Sequence, residues 1–316
     1  MRSEYLLVFA CVCVKLSPVL GSSSATDLFS RRQEDAVRQL LRRRLPAHAD
    51  DFDLTVTPLP TESTGGTDAP TQQFTVSAGA VPGRVALTGT SGVALASALN
   101  HYLKYDAGMQ INVWFTSQTQ LAGKGGTLPC PTAVNMTSPY KFQNYLNICA
   151  FGYSTAWYSW PRWQAEIDWM ALNGVINPLA MVGQDAVWLD VFTEDFGLPK
   201  TELLSEFFAG PTFQPWHWMG NLNGWGGPVD EAFLRQQQRL QQNITGAMVA
   251  FGMQPVLPAF AGHVPKSMAT KFPEANITQV PTPWNMHSQI HSLHTYAHIH
   301  SSHTYSHTQV YNLFCI

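Results

Sequence analysis

The sequence predicts an α/β protein: a small amino-terminal α/β accessory domain over residues 27–135, then the first part of a (β/α)8 TIM barrel over 140–279, incomplete. Three observations predict it. Residues 144–196 read twice over as apolar strand, loop and amphipathic helix, the order of a parallel sheet wrapped in helices. Gly-, Thr- and Pro-rich stretches at 61–70 and 121–139 interrupt the periodic segments, as loops and linkers do. Tyr153, Trp157, Tyr158, Trp160, Trp163 and Trp169 fall within seventeen residues. Several of them lie in a strand-to-helix loop, where a barrel carries its active face.

In chain order, residues 1–21 read as a secretory signal. Arg2 is the charged start, Leu6 to Val14 the short apolar run, and Val19-Leu20-Gly21 the small-residue cleavage site. That run is too short to span a bilayer, and no later stretch reaches the ~18 apolar residues a span needs. Asp27 to Leu45 has Val37, Leu40, Leu41 and Leu45 on one side and Pro46 after it, a helix with a stop. Arg31, Arg32, Arg38, Arg42, Arg43 and Arg44 on that helix, with Glu34 and Asp35, read as a solvated face. Strands are expected at Phe52–Thr57, Phe74–Ser77, Val85–Leu87 and Ile111–Phe115, and a helix at Ser91–Tyr105. Gly89-Thr90-Ser91-Gly92 lacks the lysine and spacing of a phosphate loop, so it reads as a strand-to-helix turn.

The barrel segment opens with a strand at Tyr145–Ala150. Pro161 sits at a first helical position, Trp163, Ile167, Met170 and Ala171 share a face, and Gly174 is placed to end the helix. Val175–Val182 is the second strand and Gln184–Phe196 the next helix, closed by Gly197. Leu198–Phe208 reads as a short helix, 210–228 as a long loop, Asp230–Phe251 as a helix, and Pro255–Phe260 as the third strand. From Val280 to Ile316 there is no Asp, Glu, Lys or Arg, and seven of the eleven histidines fall there. His287, His291, His294 and His298 would share a helix face suited to zinc, but the segment lacks helix formers, caps and second-shell carboxylates. Residues 280–316 are therefore expected to be an unstructured His-rich tail, with no metal, of the kind a read-through or frame change produces.

The net charge of -3 with only 12% charged residues gives no reason to expect nucleic acid as a partner. Asn135, Asn243 and Asn276 head N-x-T sequons, which fit a secretory signal. Beyond the signal only Cys130, Cys149 and Cys315 remain, which is not a disulfide framework. A single Cys130–Cys149 bridge and a free thiol at Cys149 both stay open.

The motifs are specific: N-x-C before the aromatics, RWQAEIDWMALNG, GQDAVW, FFAGPTFQPWHWMGNLNGWGGP and FGMQPVLPAFAGHVP. They resemble the lysosomal α-N-acetylglucosaminidases of glycoside hydrolase family eighty-nine, diffusely over 30–135, closely over 140–279 and not afterwards. Asp185 stands where that family more often has Glu, and Met181-Val182 replaces a more polar pair. The resemblance implies cleavage of terminal non-reducing α-N-acetylglucosamine from heparan-type glycans, by a retaining mechanism without a cofactor, in the lysosome. It also implies a sugar pocket with Asn147, Cys149, Trp216, Met219 and His263, with Tyr102 reaching across from the amino-terminal domain. It places both catalytic glutamates beyond residue 279, so no catalytic residue is assigned and this chain is expected to be inactive. Glu166 and Asp168 cannot substitute, being about 200° apart around a helix, and Asp185 reads as stabilising a helix amino end. The alternatives are a non-catalytic N-acetylglucosamine-binding protein and an unstable truncated product with an exposed sheet edge. Oligomeric state is not legible.

Overall fold

The computed structural model describes residues 23–58, 72–112, 127–258, 262–282 and 285–293. The expected signal, the Thr61–Pro70 linker and the tail from residue 294 lie outside them.

Helix α1 runs Ser23–Arg44. Val37, Leu40, Leu41 and Leu45 are its buried side, as the periodicity requires, and Pro46 opens a short 3-10 turn. Strands β1 (Phe52–Val56), β2 (Gln73–Ala78) and β3 (Val85–Gly89) follow. β3 lies parallel to β1 and antiparallel to β2. Gly89 then turns the chain into α2 (Gly92–Tyr105), whose first turn is capped by the Ser91 hydroxyl accepting from the Ala94 N–H at 3.1 Å. A Cβ on Gly89 would lie 2.3 Å from the Leu95 nitrogen. Gly89→Ala should therefore lose about 1–3 kcal/mol to overpacking, read from the urea midpoint. An unchanged midpoint would contradict the close approach.

Two expectations change in this region. Val134–Thr137, assigned to a linker, forms β4 and pairs antiparallel with β2, giving the sheet order β1-β3-β2-β4. Its burial shows no alternation, because it is an edge strand with exposed residues on both faces. Ile111 and Asn112 carry no regular structure, and the rest of the expected Ile111–Phe115 strand lies outside the described residues.

The barrel segment begins with β5 (Asn144–Tyr145), parallel to β6 (Asn177–Pro178). A parallel bridge joins Leu179 to Val256, so three parallel segments stand side by side. All are shorter than expected. Pro178 has no N–H to lengthen a ladder, and Asn147 turns the first segment into a 3-10 helix, Ile148–Gly152. Residues 259–261, expected in the third strand and its loop, lie outside the described residues.

Around these strands lie α3 (Trp160–Leu172), with Trp163, Ile167, Met170 and Ala171 buried, and α4 (Gln184–Asp190), which widens into a π-turn at Val191–Asp195. Gly174 and Gly197 take the left-handed conformation, at φ 78° and 57°. A short α5 (Lys200–Glu202) leads into a second π-turn, Leu203–Phe207. The expected loop at 210–228 contains a helix, α6 (Gln214–Trp218), and α7 (Glu231–Ala250) follows as foreseen.

His263, expected in a loop, begins β7 (His263–Val264), before α8 (Lys266–Lys271). β8 (Ile277–Thr282) and β9 (Asn285–Leu293) complete an antiparallel sheet of order β7-β9-β8. The expectation of an unstructured tail from residue 280 therefore fails up to residue 293, and the helix face set aside above is not formed at His287 and His291. Both histidines lie on a strand. β-branched Ile277, Thr278, Val280 and Thr282 favour extended backbone, and ladder bonds satisfy it without any charged residue.

The two regions share one hydrophobic core, which runs from Val37 through the sheet and α2 to Trp163, Met170 and Met248. α2 is buried on nearly every side, and its Asn100 amide donates to the Leu172 carbonyl at 2.8 Å. Arg43 and Arg44 correct the solvated-face reading. Arg43 Nη2 and Nε lie 2.6 and 3.1 Å from the two oxygens of Asp168 on α3, and Arg44 Nε is 3.2 Å from Oδ2. Among the described residues no helix is long and apolar enough to cross a membrane.

Candidate functional site

Of the residues expected to bind ligand, Asn147 and Cys149 lie beyond the carboxyl end of β5, Trp216 is on α6 with Met219 just after it, His263 is on β7 and Tyr102 is on α2. Two residues past β5, the Asn147 side chain accepts from the Cys149 N–H at 2.8 Å, which starts the 3-10 turn. Asn147 is exposed and Cys149 half-buried. α6 packs directly on this turn. A Cβ on Gly152 would sit 2.6 Å from the Trp216 ring and 2.6 Å from the Thr212 carbonyl, so glycine is what lets the indole approach. Tyr153 meets Trp216 edge-on, with ring centroids 6.0 Å apart. Tyr153 and Trp157 are 63% and 67% exposed, while Trp163 is fully buried and belongs to the core.

Met219 follows α6, and Gly220 turns the chain at φ 70° with the His263 ring 3.7 Å from where a Cβ would stand. The structure thus packs Trp216 on the turn that Asn147 and Cys149 open beyond β5, with Met219 one residue past α6 and His263 buried just behind the Gly220 turn. Tyr102 is not among them. Its ring is fully buried against Phe52 and its hydroxyl donates to the Pro129 carbonyl at 2.8 Å, so it packs the amino-terminal domain. Burial also raises its pKa, so the phenol stays neutral.

What holds α6 in place was not foreseen. Asp185 is 1% exposed and accepts from Trp218 Nε1 and Gln214 Nε2, each at 2.7 Å. It ties α4 to α6, correcting the reading of a helix-end charge. Burial pushes its carboxyl up to about 7, against the lowering pull of the two donors. His217, between those two α6 residues, is fully buried; its Nδ1 lies 3.2 Å from the Leu222 carbonyl and 3.2 Å from Asn223 Oδ1. The His217 and His263 rings meet edge to face at 4.8 Å. Burial lowers His217 to about 4 and His263 well below its usual value, with His217 adding to the latter. Both rings are therefore neutral. His217 Nε2 and both nitrogens of His263 make no hydrogen bond among the described residues. A sequence of single residues cannot show the Asp185 tie, because its partners are 29 and 33 residues away.

Among the described residues the buried carboxylates are Glu166, Asp168 and Asp185. Glu166 accepts from the Tyr145 hydroxyl at 2.8 Å and pairs with Arg162 at 2.8 Å. Asp168 is held by two arginines and Asp185 by two donors, so each one is committed to structure. Cys130 and Cys149 are free thiols, which removes the bridge from the two open readings. Among the described residues no cluster of three or more His, Cys, Asp or Glu is placed to hold a metal.

Comparison with known proteins bears on the family and the fold. Residues 143–314 match the family profile described as the alpha-N-acetylglucosaminidase (NAGLU) tim-barrel domain, and residues 35–130 its N-terminal domain. The first match continues past residue 279, where the motifs ended the resemblance. Human alpha-N-acetylglucosaminidase is 38% identical over 286 residues, which is 88% of this chain and 36% of that protein. A family 89 glycoside hydrolase from Clostridium perfringens, solved with 2-acetamido-1,2-dideoxynojirmycin, superposes with a TM-score of 0.74 at 26% identity. It covers 85% of this chain and 29% of its own. The Clostridium perfringens enzyme solved with its substrate GlcNAc-alpha-1,4-galactose also gives 0.74, at 25% identity, covering 86% and 29%. The chain thus spans about a third of the length of the relatives it matches. On the two matched domains and the shared fold, the chain belongs to the α-N-acetylglucosaminidase family.

Proposed function

We propose that this chain supplies the amino-terminal domain and the opening barrel segments of a retaining α-N-acetylglucosaminidase, and with them part of the pocket for a terminal non-reducing α-N-acetylglucosamine. The observation that supports the reading is the packing of Trp216 on the Asn147–Gly152 turn just beyond the carboxyl end of β5, with Met219 following on the same segment as Trp216. Trp216 offers an apolar face to a sugar ring, and Asn147 has amide donors left for a hydroxyl or an N-acetyl group. His263, neutral and behind the Gly220 turn, supports that wall from within. Heparan-type glycans are the proposed substrate and the lysosome the proposed site of action.

A retaining glycosidase places two carboxyl groups about 5–5.5 Å apart across the scissile bond. None of the buried carboxylates here is free for that work, so the described residues bind and position the sugar while the reacting carboxyls come from elsewhere in the enzyme. Purified chain should show no turnover of an aryl α-N-acetylglucosaminide; robust hydrolysis would reject this assignment. Titrating N-acetylglucosamine should change tryptophan fluorescence, and Trp216→Ala should abolish the change. A flat response from the parent chain would remove the pocket reading. Exposed Asn135, Asn243 and Asn276 are the proposed glycan acceptors.

A further inference from the structure

At the opposite end of the strands lies a second concavity, of about 380 Å³, where the amino-terminal sheet and α2 meet the start of the barrel segment. Gln143, just before β5, and Gly174, just before β6, both line it. It therefore opens at the amino ends of the strands, whereas Asn147 and Trp216 stand beyond their carboxyl ends. The two sites are separate.

Its lining has a distinct chemistry. Phe74 and Met136, paired in register across β2 and β4, form an apolar wall. Tyr105 and Tyr140 stand at the cleft 75% and 64% exposed, large aromatic surfaces with nothing packed over most of them. His101 lies against Tyr105 with centroids 4.6 Å apart and the rings tilted by 43°, which holds the Tyr105 ring at the cleft edge. At the base, Gln143 Oε1 and Ser97 Oγ lie 3.3 and 3.5 Å from the point a Cβ on Gly174 would occupy. The missing side chain leaves a small polar cradle between an amide and a hydroxyl. Among the described residues, Lys104 on the lining is exposed and makes no ion pair, and no Asp or Glu lines the cleft. Asn135 pairs with Thr75, one residue out of phase with Phe74 and Met136, so a glycan on it would project from the other face of the sheet.

Flat aromatic faces at the rim, neutral hydrogen-bonding groups at the base and one cation without a carboxylate form a recognisable set. Rings stack on the C–H faces of a pyranose, amide and hydroxyl groups meet its hydroxyls, and a lysine favours an anionic substituent. The volume lies in the ~300–1,000 Å³ range of small-molecule sites. We infer that this cleft is a second saccharide-binding site, distinct from the pocket of the preceding section, and that it takes a saccharide bearing an anionic group such as a sulfate. It does not depend on the substrate proposed for the first pocket.

The test uses the full chain carrying Trp216→Ala, so that the opposite pocket contributes nothing. A sulfated N-acetylated disaccharide and its desulfated counterpart are titrated by calorimetry at low and at physiological salt. The sulfated probe should bind several-fold more tightly, and added salt should shrink the difference. Lys104→Gln should erase the preference while leaving the desulfated probe unaffected. Tyr105→Ala should weaken both by about three- to tenfold. Both residues are exposed, so neither variant threatens the fold. Absence of binding at millimolar probe, or binding indifferent to both substitutions, overturns the inference. Neither result touches the Trp216 fluorescence test of the first pocket, which uses the parent chain.

Discussion

Asp168→Ala is expected to destabilise the chain by about 3–5 kcal/mol and to loosen α1 from α3. Asp168 is 1% exposed and holds two cations from the other region, Arg43 through both carboxylate oxygens and Arg44 through one. The side chains of Arg43 and Arg44 are 31% and 10% exposed, so Arg44 in particular cannot turn to water without moving α1. Removing the carboxylate leaves two nearby cations facing each other with their common counter-charge gone. Bidentate geometry makes the Arg43 pair the stronger one. Arg44→Gln should thus cost less than Asp168→Ala, since Arg43 still neutralises the acid. Urea unfolding of the three proteins, with limited proteolysis of the segment joining β4 to β5, measures both effects. An Asp168→Ala midpoint within error of the parent, with unchanged cleavage, would mean that the clamp adds nothing beyond the shared core.

That clamp also marks the boundary between what the sequence discloses and what it hides. α1, α2, α3 and α7 are legible because each carries its own instructions: an apolar stripe at 3.6-residue spacing, and in most a start or stop such as Pro46, Ser91, Pro161 or Gly174. β4 is not legible, because an edge strand needs neither buried alternation nor high apolar content to pair with β2. α6 hides inside a run of aromatics and glycines, since a five-residue helix has too few turns to show a period. Arg43 and Arg44 look like any solvated basic face until α3 arrives with a buried acid 124 and 125 residues later. Tyr102 illustrates the reverse error. Its place in the pocket came from resemblance alone, while its position on the apolar side of α2 already pointed to the core. For the site, Asn147, Cys149 and Trp216 were named from motifs, but the packing that joins them depends on Gly152 having no side chain. That is a three-dimensional requirement which no spacing encodes.

The second large effect concerns Asp185. Asp185→Ala should cost about 2–4 kcal/mol, because it strands two buried donors, the Trp218 indole and the Gln214 amide. It should also abolish the Trp216 fluorescence response, since α6 loses its tie to α4 and the indole its fixed position on Gly152. Asp185→Asn keeps the volume but cannot change charge, so it separates titration from shape. The folded carboxyl titrates at about 7, above its ordinary value of 3.8, because burial disfavours the charged form. A raised folded pKa means that the native state holds the proton more tightly than the unfolded state. Its stabilising contribution is fully present below about pH 4 and is lost as pH rises through 7. His217, lowered to about 4 by burial, works the other way, its contribution complete above pH 6.5 and lost as pH falls towards 4. His263 has the same direction. Parent stability alone would therefore mix opposing slopes, and the difference between parent and Asp185→Asn is the quantity to follow. Because both proteins carry the same histidines, those slopes cancel, and the cost of the substitution should shrink steadily between pH 4 and pH 7. A cost that is flat, or that grows with pH, would mean Asp185 is ionised throughout and that its two donors outweigh its burial. The tie between α4 and α6 would then be a charged one, held by two charge-assisted hydrogen bonds from Trp218 and Gln214.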